Sequence, residues 1–188
     1  TGVSPEHGWP TPSPTQRTPE MSKIRIDHKI LLAALKYPTA GLRHPDIDRA
    51  EMKLYGRIRP PAGWIPADVD DIDWARKRGI PAELIKVFED GWPNDTTEIG
   101  PWSRLWDLAS IRKEMESRKD YLEHGFLLIG SALNGDRIVM DLQHHRGAIG
   151  YVEFSESLQK SVNLRELFFE VSPSLGAFAL GVVKDALP

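Results

Sequence analysis

Hydrophobic residues recur at intervals of three and four along much of the first two thirds of the chain, which is the spacing of one buried helix face. The first run follows a candidate N-cap, Asp27, and places four apolar residues on one face: Ile30, Leu31, Ala34 and Leu35. The same spacing predicts further helices over 46–56, 68–78, 81–90 and 107–124.

Charges and glycines define the ends of three of these helices. The helix over 68–78 begins with aspartates and ends with basic residues, as the helix dipole favours, and Gly79 can form its left-handed cap. Pro81 suits the first turn of the next helix, which Gly91 ends. Asp107 and Gly125 bound the helix over 107–124 in the same way.

The pattern then changes to short runs of β-branched and aromatic residues. FLLIG, RIVMDL and AIGYVEF predict three strands, separated by NGD and HHRG, whereas the proline- and glycine-rich stretch 92–102 predicts a loop. LRELFFEV fits a strand or a helix, and a terminal helix should follow with Ser172 as N-cap and Pro173 in its first turn. The sequence therefore predicts an α+β fold with a small mixed or antiparallel sheet flanked by helices.

The domain organisation follows from composition. Residues 1–20 contain five prolines and few apolar residues, so they predict a disordered tail, either an added leader or an upstream extension ahead of Met21. Residues 21–65 predict a helical N-terminal extension that ends in a proline-rich connection. Residues 66–188 then predict the α+β domain.

Charge and cysteine content limit the classes of function. The 188 residues carry a formal net charge of -3, which argues against nucleic-acid binding because that needs a clustered basic field. Residues 61–125 are the acidic part, with nine basic and fourteen acidic side chains. The chain has no cysteine and no apolar run long enough to span a membrane, so we expect a cytoplasmic protein.

The stretch GSALNGDRIVMDL, residues 130–142, has three possible roles. A phosphate loop would lead directly into a helix, but this turn leads into the strand-like RIVMDL. Asn134 and Gly135 tolerate positive φ, so the sequence favours a β-hairpin turn.

A divalent metal ion is the other chemistry that this region permits. Asp136, Asp141, His144 and His145 have the right donor types for a small metal-dependent hydrolase. Neighbouring histidines on a strand point to opposite faces, however, and a solvated turn explains them better. Because the usual hydrolase and nucleotide motifs are also missing, we predict no catalytic residue, no metal and no cofactor.

Binding to another protein is the remaining function. Three tryptophans flank an acidic stretch, a composition common at protein interfaces, and the candidate partner-binding residues are Trp92, Asp95, Glu98, Trp102, Trp106 and Asp107. In the alternative interpretation, one or two of the tryptophans close the core beneath the loop. A basic partner would be attracted to such a surface.

The order of elements over residues 68–188 resembles the SUKH superfamily, which contains fungal cell-wall synthesis regulators and bacterial toxin-immunity proteins. Two glycine-ended helices joined through Ile80-Pro81, a third helix, and then FLLIGSALNGDRIVMDL, GAIGYV and VSPSLGAFALGVV carry the resemblance. The turn and strand positions that match are Gly130, Asn134, Gly135, Asp136, Asp141 and Leu142.

The resemblance implies a non-catalytic domain that acts by binding a protein. An immunity protein would bind a cognate toxin, for example a basic nuclease-type toxin, and cover its active site. The variant within the same family is an intracellular regulatory scaffold that holds a client protein.

Overall fold

The structure is a computed structural model that describes residues 23–34, Lys53 and residues 64–100, 102–157 and 163–183. The predicted tail over 1–20 and the predicted helix over 46–56 lie outside this description, apart from Lys53. Among the described helices, none combines the length and the apolar character needed to cross a membrane.

Helices surround a sheet in an α+β arrangement. The described helices are α1 (His28–Ala34), α2 (Val69–Lys77), α3 (Ala82–Asp90), α4 (Leu108–Ser117), α5 (Lys119–Glu123), α6 (Phe154–Ser157) and α7 (Leu175–Val183).

The sheet is antiparallel throughout, and each of its strands lies beside the next one in sequence. A two-stranded ribbon, β1 (Trp64–Ile65) with β2 (Trp92–Pro93), stands apart from it. Within the described residues, the main sheet has six strands, which in spatial order are β3 (Thr97–Ile99), β4 (Ser103–Leu105), β5 (Phe126–Ala132), β6 (Arg137–Asp141), β7 (Ile149–Val152) and β8 (Phe168–Ser172).

Local hydrogen bonds confirm several predicted helix ends. Asp68 accepts a hydrogen bond from the Asp70 amide at 2.9 Å at the start of α2, and Gly79 follows its end with φ 73°. Asp107 caps α4 by accepting from the Ser110 amide at 2.9 Å. Short polar side chains at these positions satisfy amides that have no partner within the helix.

The predicted helix over 107–124 is broken in two. Arg118 has φ -123° and ψ 64°, which ends α4 before α5 begins. The Arg118 guanidinium donates to the carbonyl oxygen of Ser157 at 3.0 Å and lies 5.0 Å from the Tyr121 ring centroid. Contacts with a distant segment accompany this break, so local periodicity could not reveal it.

The terminal helix begins two residues later than predicted. Ser172 is the last residue of β8, and Ser174 is the capping residue, because its hydroxyl accepts from the Ala177 amide at 3.1 Å. The Ser174 hydroxyl also donates to the Asp27 carboxylate at 2.6 Å. Asp27 therefore precedes α1 as predicted, but its carboxylate binds α7 and does not cap its own helix.

The first described segment belongs to the main core. Ile24, Ile26 and Leu31 are buried together with the helices and strands of the later domain, whereas Ile30 is exposed, contrary to the predicted inward face. The Ile26 carbonyl oxygen accepts from the Gly176 amide at 2.9 Å. The predicted boundary at residue 65 thus does not separate residues 23–31 from the α+β domain.

Candidate protein-binding groove

A groove of about 600 Å³ opens on one face of the main sheet, across the ends of β5 to β8. Aromatic, aliphatic and acidic side chains line it, principally Trp102, Leu133, Asp136, Tyr151, Glu153 and Phe169.

Strand register places these side chains together. Tyr151 lies opposite Ile138 on one side and opposite Phe169 on the other, so all three project from the same face of the sheet. Helix α7 packs on this face through Phe178, whose ring centroid is 6.5 Å from that of Tyr151. The groove lies beside this contact.

The apolar part of the groove is unusually open to solvent. Phe169 is 66% exposed, Trp102 43% and Leu133 37%, and these three are among the few large hydrophobic residues exposed in the described chain. Contiguous apolar surface of this kind marks interaction sites, because its burial by a partner releases about 25 cal/mol per Å².

The polar part of the groove is acidic. Asp136 accepts from the side-chain amide of Asn134 at 2.8 Å, and Glu153 accepts from the Ser155 hydroxyl at 2.6 Å. The Tyr151 hydroxyl lies 3.5 Å from that of Ser103, and burial raises the pKa of Tyr151, so this phenol stays neutral. Among the described lining residues there are two carboxylates and no lysine, arginine or histidine.

Of the three predicted tryptophans, only Trp102 lies in the groove. Trp92 is fully buried and donates its indole N–H to the Trp106 carbonyl oxygen at 2.8 Å, with its ring edge-on to Phe88. Trp106 is only 8% exposed and is covered by the Arg137 guanidinium, 5.1 Å from its ring centroid. Trp92 and Trp106 are therefore core residues, as in the alternative interpretation of the sequence.

The three predicted acidic residues form hydrogen bonds or an ion pair with nearby residues. Asp95 accepts from the Thr96 amide at 2.7 Å, Glu98 forms an ion pair with Arg104 at 3.2 Å, and Asp107 caps α4. None of these three lines the groove. The acidic character near Trp102 comes instead from Asp136 and Glu153.

The predicted hairpin turn between β5 and β6 is present. Gly135 has φ 96°, whereas Asn134 keeps a negative φ and binds Asp136 through its side chain. Gly130 lies so close to the Arg104 carbonyl oxygen that a side-chain carbon there would collide with it. Gly135 therefore provides the positive φ of this turn, and Gly130 allows the close approach of β4 to β5.

Asp141 and Leu142 stabilise the loop after β6. Asp141 is 1% exposed and accepts from the amides of Gln143, His144 and His145 at 2.8, 3.0 and 3.1 Å and from Arg165 at 2.5 Å. Leu142 is half-buried, and its amide donates to the Gly125 carbonyl oxygen at 2.8 Å.

Two of the four residues considered for a metal ion, Asp141 and His145, have other partners. The carboxylate oxygens of Asp141 already accept four hydrogen bonds, and the exposed His145 ring binds Glu170. The described residues contain no group of three or more His, Asp or Glu side chains that could hold a metal.

The chain was compared with protein-family models, curated proteins and solved structures. No protein-family model matches the chain, and no curated protein or solved structure gives a significant match.

Sequence reasoning missed Leu133, Tyr151, Glu153 and Phe169. A signal for one of them was present in LRELFFEV, where adjacent phenylalanines on a strand must point to opposite faces. Phe168 packs against Phe126 with ring centroids 5.0 Å apart, which leaves Phe169 on the groove side.

Proposed function

We propose that this chain is a non-catalytic protein-binding module, an immunity protein of the SUKH type that neutralises a bacterial toxin by direct binding. The groove receives a basic segment of the toxin. The chain itself supplies no reacting group.

The single observation that carries this proposal is the pairing of exposed aromatic side chains with carboxylates in one groove. Trp102 and Phe169 offer apolar area that gains from removal of water, while Asp136 and Glu153 attract a lysine or an arginine. Tryptophan is among the residue types most enriched at interface hot spots. The match in charge also speeds the encounter with a basic protein.

A cytoplasmic location is part of the proposal. The cysteine-free sequence is compatible with a reducing compartment, where an immunity protein would meet a toxin that enters or is made in the cell.

The test is affinity capture with the full chain, followed by binding measurements on the partner recovered. Trp102→Ala and Phe169→Ala should each weaken binding by about ten-fold or more, as truncation of a hot-spot anchor does. Val69→Ala is the matched control, because Val69 is 65% exposed but lies on α2, outside the groove. The affinity of the wild-type chain should fall with added salt.

The toxic activity of the partner separates the two variants of this proposal. Loss of that activity on addition of the chain, with recovery when Trp102→Ala is used, supports the immunity role. A groove-dependent partner without toxic activity favours the regulatory scaffold. Equal binding by the groove variants and Val69→Ala would contradict both.

A further inference from the structure

Strand β8 forms one edge of the main sheet. Among the described strands it pairs with β7 alone, and its residues Phe169 and Glu170 are exposed. The other edge strand, β3, has three residues and lies under α7, where the Val182 carbonyl oxygen approaches Gly100 closely. An edge strand presents backbone donors and acceptors that a further strand can use.

The direction of the backbone groups on β8 follows from a close approach to β7. The Phe169 carbonyl oxygen lies so near Gly150 that a side-chain carbon there would collide with it, so this carbonyl points at β7. Residues 168–170 keep a regular register with 150–152, and an antiparallel strand alternates the residues that bond to one neighbour. The N–H and C=O groups of Phe168 and Glu170 therefore point away from β7, to the outer edge.

The same strand forms a wall of the groove. Phe169 lines it directly, and Leu167, just before β8, lines it as well. A segment paired with the outer edge of β8 would run beside the groove, and alternate side chains of that segment would lie on the groove face.

We propose that β8 binds an extended segment of the partner as a further strand of the sheet, and that a lysine or arginine of this segment reaches Glu153, which follows β7, the neighbour of β8. This inference rests on the proposed function and specifies how the partner binds. Main-chain hydrogen bonds then supply affinity, and the acidic groove supplies selectivity for a basic segment.

A second copy of the chain is a poorer occupant of this edge. Residues 168–172, FFEVS, contain no basic residue, and a symmetric antiparallel pair centred on this strand would place Glu170 opposite Glu170. Like charges directly opposite each other destabilise a strand pair. A basic segment from another protein meets neither difficulty.

The test uses the full chain and a library of random linear peptides displayed on phage. Peptides retained by the wild-type chain are sequenced, and their affinities are measured for Glu170→Pro and Glu170→Ala. Both variants lose the contact with His145, but only the proline removes the outward N–H. Glu170→Pro should bind the selected peptides about ten-fold more weakly than Glu170→Ala, because it loses a backbone hydrogen bond to the peptide and its ring blocks the edge. The two variants should have equal melting temperatures.

Amide hydrogen exchange checks the edge directly. The Phe168 and Glu170 amides should exchange fast in the free protein and slowly with a selected peptide bound, and the selected peptides should be rich in lysine or arginine. Slow exchange in the free protein would mean that the chain itself or a second copy covers β8, which would overturn the inference. Equal affinity for Glu170→Pro and Glu170→Ala, or enrichment of acidic peptides, would do so too.

The two proposals fail in different ways. If Trp102→Ala weakens partner binding but Glu170→Pro and Glu170→Ala bind alike, the groove binds its partner without strand addition and the proposed function stands. If Trp102→Ala has no effect on the partner, the proposed function fails first.

Discussion

Replacing Asp141 by asparagine tests whether this carboxylate is structural. One carboxylate oxygen accepts from the amides of Gln143 and His144, and the other accepts from His145 and from Arg165. Asparagine can keep the first pair of hydrogen bonds, but its NH₂ group would face the two donors of the second pair.

The expected cost is large because the site is buried. Removing one partner of a buried ion pair typically costs about 3–5 kcal/mol, since the remaining charge loses its compensation. For a chain of this size each kcal/mol lowers the melting temperature by roughly 2–4 °C, so Asp141→Asn should melt on the order of 6–20 °C lower. The exposed Glu123→Gln is the control and should change the melting temperature little.

Thermal melts monitored by circular dichroism at several pH values complete the test. Burial alone would raise the pKa of Asp141, but the hydrogen bonds from Arg165 and the three amides outweigh it, so the pKa is lowered. A lowered pKa stabilises the fold above the unfolded value of about 4, and this contribution is lost as the pH falls further towards the folded value. The difference in melting temperature between wild type and Asp141→Asn should therefore become smaller below about pH 4. Equal melting temperatures of Asp141→Asn and wild type at pH 7 would refute this reasoning.

Three further predictions concern packing and pH. Gly130→Ala should lower the free energy of unfolding in urea by about 1–3 kcal/mol, because its methyl group would meet a backbone carbonyl; an unchanged value would contradict that contact. Trp92→Ala should cost about 3–5 kcal/mol, but Trp102→Ala under about 1 kcal/mol, since only Trp92 is fully buried; equal losses would contradict the assigned burial. In an NMR titration, the hydrogen bond that the His145 ring donates to the Glu170 carboxylate should raise the pKa of His145, and Glu170→Gln should lower it again. This pair stabilises the fold below a pH of about 6.5, and its contribution is lost as the pH rises through the raised pKa; a His145 pKa that ignores Glu170→Gln would contradict the contact.

Local signals in the sequence were sufficient for α2, α3 and the central strands β5 and β6. Asp68 and Gly79 mark the ends of α2 through short-range chemistry that operates in any context, and the NGD turn fixes the β5–β6 hairpin in the same way. Because these features depend on residues that are neighbours in sequence, the local sequence was enough to predict them.

Features that depend on distant contacts were not predictable. Strands β3 and β4 have three residues each, too few to show alternation, and each depends on a partner strand: β4 pairs with β5, and β3 pairs with β4. The capping role of Ser174 was assigned to Ser172 because both serines precede the same apolar run, and only the end of β8 decides between them. The structure of each of these segments depends on residues that are distant in sequence, which a local pattern does not contain.

The residues of the candidate site also differ in whether the local sequence could identify them. Trp102 was identified from composition, but the burial of Trp92 and Trp106 depends on contacts with Phe88 of α3 and Arg137 of β6, which spacing alone does not reveal. The register of β8 against β7 places Phe169 beside Tyr151 in the groove, and the local sequence does not contain this register.

The contact between Asp27 and Ser174 has a consequence for how the chain folds during synthesis. Each described strand of the main sheet pairs with the next described strand in sequence, so the strand pairs can form one after another as the ribosome releases them. Residues 23–31, although made early, cannot complete their packing until residues 174–178 have emerged. A nascent chain halted before Ser174 would therefore carry Ile24, Ile26 and Leu31 without their final cover and would be the species that chaperones and proteases encounter.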